Sequence, residues 1–423
     1  MQDAPQGLDS PDFGGLPVIC ITTEPGFARI LADRVIFTAS GEIAQYGRPA
    51  NPIAIRNTNA PGRSSGISSG IEAMSKTRIA VTGAGYVGLA HVAVVQASPT
   101  CTLSAIVDPA PAAEIAAAKA GVPLYKSLAE LIARDPPHGV ILATPNRLHV
   151  EHALQCIDAG LPILLEKPIT PTVEEGERLV RAADAVSARI LIGHHRAHSP
   201  IMAAARDIIA RGTLGRLVAV MGSAVFLKPD HYFAEGPWRR EIGGGPILIN
   251  MIHEVHNLRM LCGEIDAVQA IASKATRGFP VEDTVTINLR FASGVLGCFM
   301  LSDTAACARS WEQTSQENKD YPTHADEDCY VVMGSLGSLS VPTMRLKTYD
   351  SAEDASWWKP FRTSVAAIAR NDPLALQLEH FGAVVRGESP PLVSACDGLA
   401  NLRVTEAIAR AAASGQTVHL STH

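Results

Sequence analysis

Arg78-Ile79-Ala80-Val81-Thr82 runs without a break into Gly83-Ala84-Gly85-Tyr86-Val87-Gly88, and this junction decides the fold. The first five residues form a short apolar run of the kind that builds a strand buried on both faces. The glycines follow at the spacing G-x-G-x-x-G, and an apolar stretch over residues 88–96 then reads as a helix. In a strand–turn–helix unit the first glycine permits a tight turn. The second lets backbone approach a pyrophosphate, and the third lets helix and strand pack closely. The helix start adds unpaired N–H groups and a dipole that favours phosphate. Asp108 lies about 20 residues past the last glycine, after a strand-like run over 103–107, where a carboxylate accepts hydrogen bonds from an adenosine ribose. Strand, turn, helix, strand and acid in that order point to a bound dinucleotide. Asp108 is followed by Pro109, with no Arg or Lys close behind, which favours NAD. A carboxylate repels the 2′-phosphate of NADP, which stays as the alternative.

Strand and helix go on alternating. Strand-like runs at 140–143, 163–165 and 190–192 are separated by helical patterns at 111–120, 128–134, 149–159 and 173–185. This predicts an α/β fold, a Rossmann-type doubly wound parallel sheet over residues 74–196. Beyond residue 200 the rhythm changes. A helix at 202–211, a strand at 217–226, the turn Gly243-Gly244-Gly245-Pro246 and a helix at 247–261 precede strand-like runs at 268–273, 284–291, 295–302, 328–333 and 337–342. Consecutive strands without intervening helices predict a second, α+β domain over 197–423 with a large, mostly antiparallel open sheet. Asp372-Pro373 is a helix start running to about residue 386, and a last helix spans about 398–413. Upstream, residues 1–73 hold two strand-like runs, 17–22 and 34–38, and end in a Gly/Ser/Asn-rich stretch. They read as a poorly structured extension, with Met74 the expected start of the working chain. An intact mass covering all 423 residues, in protein from its source, would overturn that expectation.

Composition limits the functions. Hydrophobic residues are 47% and charged residues 18%, which excludes a mainly disordered or fibrous chain. A net charge of −6 supplies no electrostatic reason for a nucleic-acid or membrane partner. The 8 cysteines form no C-x-x-C pair, so no zinc ribbon is signalled, and scattered thiols fit a reducing cytoplasm. No apolar run reaches the roughly 18 residues a membrane helix needs, and the N-terminus has no secretory pattern.

Two further motifs follow buried strands: Ala143-Thr144-Pro145-Asn146 with His149 three residues on, and Glu166-Lys167-Pro168. Loops at the carboxyl ends of parallel strands face the ligand, so both point toward the nicotinamide end of a dinucleotide. Lys167 there can donate to a substrate oxygen; the alternative is a surface ion pair with Glu166. The order of G-x-G-x-x-G, A-T-P-N-x-x-H, E-K-P, a glycine turn and a His-bearing helix resembles the Gfo/Idh/MocA oxidoreductase family, over Met74 to about Leu420. The resemblance implies a Rossmann domain and an α+β domain whose open sheet carries the substrate face and often an oligomer interface. It also implies C-terminal helices that pack back toward the first domain. It implies an active-site role for Lys167, often with a cis bond into Pro168. The expected cofactor contacts are Gly83, Gly85, Tyr86, Val87, Gly88, Asp108, Thr144, Pro145, Asn146, His149, Glu166 and Lys167.

Members acting on sugars or cyclitols carry D-x-x-x-H on the helix after the glycines. Here His253 holds the His position, but Ile249 stands four residues earlier with Asn250 beside it. His253 is therefore the candidate general base and Lys167 its assistant. Glu254 and His256 are close enough in sequence to suggest a metal, yet the order is not H-E-x-x-H, and no metal is expected. Arg196, Trp238, Arg239, Asn250 and His253 are the candidate substrate contacts; the arginines could hold a carboxylate or bridge the domains. Residues 311–322 read as a long polar loop over the site or at a subunit contact. The expected activity is an NAD(P)-dependent oxidation of a secondary alcohol on a sugar, a cyclitol or a carboxylated aromatic cis-dihydrodiol. An NAD-dependent glycosidase and a non-catalytic cofactor or sugar sensor are the alternatives. The expected partners are a small-molecule substrate and a second or further copies, as homodimer or homotetramer.

Overall fold

The computed structural model describes residues 35–39, 42–47 and 76–420. The chain divides into two compact units, Met1–Ala73 and Met74–His423. In the first, β1 (Val35–Ala39) pairs antiparallel with β2 (Glu42–Gly47). The strand expected at 17–22 lies outside the described residues.

In the second unit, β3 (Thr77–Thr82), β4 (Cys101–Val107), β5 (Leu124–Tyr125), β6 (Gly139–Leu142), β7 (Ile163–Leu165) and β8 (Ile190–Ile192) form a six-stranded sheet. Its order is β5-β4-β3-β6-β7-β8 and every pairing is parallel. The chain winds outward from β3 in one direction and then from β6 in the other. The switch point therefore lies between β3 and β6, where a ligand crevice opens at the strand ends. Ile79, Ala80, Val81, Val140, Ile141 and Leu142 are fully buried, as central strands covered on both faces require.

A larger, ten-stranded sheet follows. It comprises β9 (Leu217–Leu227), β10 (Ile265–Ser273), β11 (Thr284–Phe291), β12 (Leu296–Ser302), β13 (Thr304–Arg309), β14 (Tyr330–Gly334), β15 (Gly337–Val341), β16 (Arg345–Thr348), β17 (Arg362–Val365) and β18 (Val418–His419). All pairings are antiparallel except β9 with β12. Along β11, Val285, Ile287, Leu289 and Phe291 point into the core, and the residues between them face outward. The sequence pattern misses β13, β16, β17 and β18. These are short or exposed, and β17 has no buried residue at all, so no apolar alternation marks them.

Helix Pro373–Arg386 starts at Asp372, whose side chain accepts from Leu374 N at 2.9 Å, with Pro373 in the first turn. Its Leu378 and Phe381 join the core of the parallel sheet. Helix Ala395–Ser414 opens on a capping box between Ser394 and Asp397. It belongs to both cores: Leu402 packs with the parallel sheet, and Val404, Ala407, Ile408 and Ala411 pack with the large one. Full burial of each Leu or Ile contributes about 1.5–3 kcal/mol, so this one helix couples the two layers.

The helix expected over 247–261 is two pieces, a π-turn at Ile247–Met251 and an α-helix at Ile252–Cys262. Glu282 organises the start, because its carboxylate accepts from Ile247 N at 3.0 Å. Gly245 packs so closely that a Cβ there would sit 2.2 Å from Glu282 Oε1. The wider turn changes the rotation between Asn250 and His253, and single π-turns recur at functional sites.

Candidate active site

Four loops meet at the carboxyl ends of the parallel strands: 83–88 after β3, 143–148 after β6, 166–168 after β7 and 193–198 after β8. The glycine turn has the geometry its spacing demands. Gly83 has φ +96°, and a Cβ on it would lie 2.4 Å from Ala143 O. A Cβ on Gly88 would lie 1.9 Å from Gly83 O, whereas one on Gly85 would meet nothing within 4 Å. Gly83 and Gly88 thus close the turn, and Gly85 leaves an open cradle beside the first turn of helix Tyr86–Ala97. Asp108 accepts from Ala84 N at 2.7 Å and from Ala110 N at 2.8 Å, and each carboxylate oxygen keeps a further acceptor site. Tyr86 and Val87 are exposed at the helix start, and Pro145 and Asn146 at the 143–148 loop. These features fit a dinucleotide pyrophosphate and its ribose.

Gly88→Ala should weaken NAD binding about tenfold to a hundredfold, because overpacking of this kind costs about 1–3 kcal/mol. Calorimetric titration with NAD checks it, and unchanged affinity would count against the turn as the phosphate site.

Two expected cofactor contacts prove to be supports. His149 is fully buried, with Nδ1 at 2.8 Å from Pro168 O and Nε2 at 2.9 Å from Thr144 O. Neither nitrogen is free for a ligand; the ring instead ties the loop after β6 to the loop after β7. Burial holds its pKa below the usual value. Glu166 is also enclosed: Oε1 pairs with His91 Nε2 at 2.8 Å, Oε2 takes Lys167 N–H at 3.2 Å, and Gly193 packs against the carboxylate. Burial pushes its pKa up, but the hydrogen bond and charge of His91 and the nearby Lys167 outweigh that and hold it low. The pair anchors the phosphate-binding helix to the end of β7. No motif singled out His91.

Lys167 precedes a cis bond to Pro168. Its Nζ has no hydrogen-bond or ion-pair partner among the described residues and is not sealed from solvent. Burial lowers its pKa, with Arg196 adding to the effect and Glu166 and Glu312 opposing it. His253 lies within electrostatic reach of Lys167. It is mostly buried, its Nδ1 is sealed without a partner, and Nε2 is not among the sealed atoms. Burial, then the charges of Lys167 and Arg196, push its pKa well below 6.5, so the ring is neutral at pH 7.

Arg196, expected as a possible substrate contact, is committed elsewhere. Its guanidinium is buried and bonds Glu254 Oε1 at 2.6 Å and the Glu312 carboxylate. Tyr330 OH donates to the other Glu254 oxygen and receives a bond from Asn257 Nδ2 at 3.0 Å. The pairing joins the end of β8 to the second sheet, which is the bridging role. Arg196→Ala should destabilise the fold by about 3–5 kcal/mol, since it strands Glu254 without a counter-charge. Urea unfolding reads this, and a loss under 1 kcal/mol would contradict it. The segment expected as a polar loop begins as helix Trp311–Thr314, with Trp311 in the core and its Nε1 bonded to Glu317 Oε2 at 3.1 Å.

Around His253 lies a group of rings whose stacking the sequence did not show. His194 stacks on His256 at 4.6 Å and meets His253 edge-on at 6.0 Å; His195 meets His253 at 5.5 Å. Asn401 accepts from Arg259 Nη1 at 2.6 Å through Oδ1, so its Nδ2 faces His194 Nε2 at 3.1 Å and His256 Nδ1 at 3.0 Å. Both nitrogens must accept, which makes both rings neutral. His256 and Glu254 turn to separate partners, Asn401 for the one and Arg196 with Tyr330 for the other. Trp238 is exposed; Arg239 stacks over the Tyr232 ring at 3.8 Å and donates to the Tyr232 carbonyl.

Residues 77–194 match the oxidoreductase family with an NAD-binding Rossmann fold, and residues 202–340 match the GFO/IDH/MocA C-terminal domain. The chain belongs to the GFO/IDH/MocA oxidoreductase family. Its first domain binds NAD. Among relatives, the rhizopine catabolism protein MocA of Rhizobium meliloti is 27% identical over 348 residues, covering 79% of this chain and 94% of that one. The 1,5-anhydro-D-fructose reductase of Ensifer adhaerens is 29% identical over 300 residues, or 70% and 84% of the two chains. The WlbA dehydrogenase of Bordetella pertussis, solved with NADH and UDP-GlcNAcA, superposes with a TM-score of 0.66 at 22% identity, over 82% of this chain and 100% of that one. That likeness shows a shared fold.

Proposed function

We propose that this GFO/IDH/MocA protein is an NAD-dependent dehydrogenase oxidising a secondary alcohol on a hydroxylated ring: a sugar, a cyclitol or a carboxylated aromatic cis-dihydrodiol. The observation that carries the reading is an unpartnered Lys167 Nζ within electrostatic reach of a neutral His253 whose Nε2 is open. His253 takes the alcohol proton on Nε2, and the Lys167 ammonium holds the same oxygen as charge develops on it. Gly83, Gly85, Gly88, Asp108 and the 143–148 loop would hold NAD, which when bound supplies the acceptor for the carbon-bound hydrogen and its electron pair. The relatives named as 1,5-anhydro-D-fructose reductase and inositol 2-dehydrogenase support the sugar and cyclitol part of this range. A screen of polyols, sugars and carboxylated dihydrodiols for NADH formation tests it. Sugar release without NADH accumulation would overturn it in favour of glycosidase chemistry.

We further propose that the enzyme works as a homodimer or homotetramer, joined through the open face of the large sheet. That face exposes Val218, Met221, Ile271, Leu296 and Met300, a wider apolar area than single scattered residues. Light scattering should give at least twice the chain mass, and Met221→Glu with Met300→Glu should reduce it to one chain; a monomeric parent would refute this. Seven described cysteines are free, four of them buried, which supports a cytoplasmic setting.

A further inference from the structure

We propose that the substrate carries a carboxylate, which Asn250 and Arg239 receive beside the reacting alcohol, and that Lys228 sets this preference. The inference rests on the dehydrogenase reading for the identity of the site. Lys228 follows β9 and is 8% exposed. Its Nζ donates to Asn250 Oδ1 at 2.8 Å. An ammonium can only donate, so the amide oxygen must face it and the NH₂ must turn away. That NH₂ has no hydrogen-bond partner among the described residues and is not sealed. Asn250 stands three residues before His253 on the same helical segment. The wall beside the candidate base therefore presents donors, where an aspartate would present only acceptors.

The charge around Asn250 has the same sense. Lys228 Nζ lies 5.0 Å and the Arg239 guanidinium 3.8 Å from the centre of the Tyr232 ring, so two cations gather at one aromatic ring. Lys228 reaches Asp303 at 3.4 Å, but Arg277 Nε holds the same carboxylate at 3.1 Å. Arg277 also reaches the exposed Asp230 at 3.8 Å. Arg239 has no carboxylate partner among the described residues; its Nη1 is used by the Tyr232 carbonyl, and its Nη2 is free and unsealed. Cations at a low-dielectric surface are costly without compensating charge. A substrate carboxylate supplies that charge and accepts from Asn250 Nδ2 and Arg239 Nη2 together, as charge-assisted hydrogen bonds. A neutral hydroxyl can accept one such bond but leaves Arg239 without a carboxylate partner.

The test uses the full chain loaded with NADH, and matched acid and neutral ligands: glucuronate with glucose, gluconate with glucitol. NADH fluorescence reads binding, and NADH formation from NAD reads turnover. In at least one pair the acid should bind at least tenfold tighter than its neutral partner. Asn250→Asp should reverse that preference, and Lys228→Met should shrink it at least fivefold while NADH still binds. Equal binding within every pair, binding of no acid, or a preference that survives Asn250→Asp would each overturn the proposal. NADH formation from neutral members alone would leave the dehydrogenase reading standing without this inference. Carboxylate-dependent binding with no NADH formation from any member would do the reverse.

Discussion

Lys167→Ala lowers turnover at least a hundredfold while NAD affinity stays within a few fold. The size follows from the role: a positioned proton-transfer or charge-stabilising group contributes about 10²–10⁴ in rate, and a hundredfold loss is about 2.7 kcal/mol of barrier. Structure is spared because Lys167 Nζ has no protein partner to lose, and the loop is held by His149 on Pro168 O and by Glu166. His253→Ala should have a loss of similar size. The pH profile is the finer test. His253 is lowered well below 6.5, so it remains a base through pH 6.5, and kcat/KM should not halve there. Lys167 is lowered below 10.5, so the alkaline limb should set in earlier than for a free lysine. Unchanged turnover in Lys167→Ala would refute the assignment. Loss of NAD binding in the same variant would make Lys167 structural.

Acid should unfold this protein steeply, and the histidines are the cause. Burial is the main reason that His195 and His256 are lowered to about 4 and His198 to about 3. Above pH 6.5 these rings are neutral in both the folded and the unfolded chain, so stability does not change on their account. Below 6.5 the unfolded chain takes up protons that the folded chain refuses, and stability falls until the folded pKa is reached. Each ring contributes about 1.4 kcal/mol per pH unit in that window, so three give about 4. Glu317 opposes them. Burial pushes it up to about 7, so it holds a proton in the folded chain and favours folding as pH falls from 7 toward 4.5. His194 and His253, also lowered, and Glu254 and Glu282, raised by burial, act in opposite senses. The three rings less Glu317 alone give a loss of about 3 kcal/mol per pH unit between 6.5 and 4.5. Urea midpoints at pH 7.0 and 5.5 should differ accordingly, and His198→Gln should flatten the slope by about half. Equal midpoints would contradict the burial of these rings as charge-free groups.

Much of the site was legible because it lies in local motifs. Gly83, Gly85 and Gly88 could be assigned separate duties from spacing alone, and the structure keeps them distinct: two are closed in and one is open. Lys167 and His253 are candidates through their motifs, and each keeps a polar atom without a partner among the described residues. His149 and Glu166 sit in the same motifs but face inward, because motif membership states proximity and not direction. Arg196 shows the same limit. Its sequence neighbours could not reveal Glu254 and Glu312, 58 and 116 positions away. His91, Lys228 and Asn401 left no signal, since each acts through a partner on another element.

By itself the sequence determined the parallel sheet, its phosphate turn, the order of the two domains and the identity of the candidate acid–base pair. Strand burial, glycine spacing and helix caps are local properties, set by backbone sterics and by which residues can leave water. Only the tertiary structure decided which polar groups are spent on one another and which remain open. Arg196, His149 and Glu166 are committed to partners within the protein; Lys167 Nζ, His253 Nε2 and Asn250 Nδ2 are not. A hydrogen bond between residues 22 to 207 positions apart depends on how whole elements pack, and it is this long-range accounting that separates support from reactive surface.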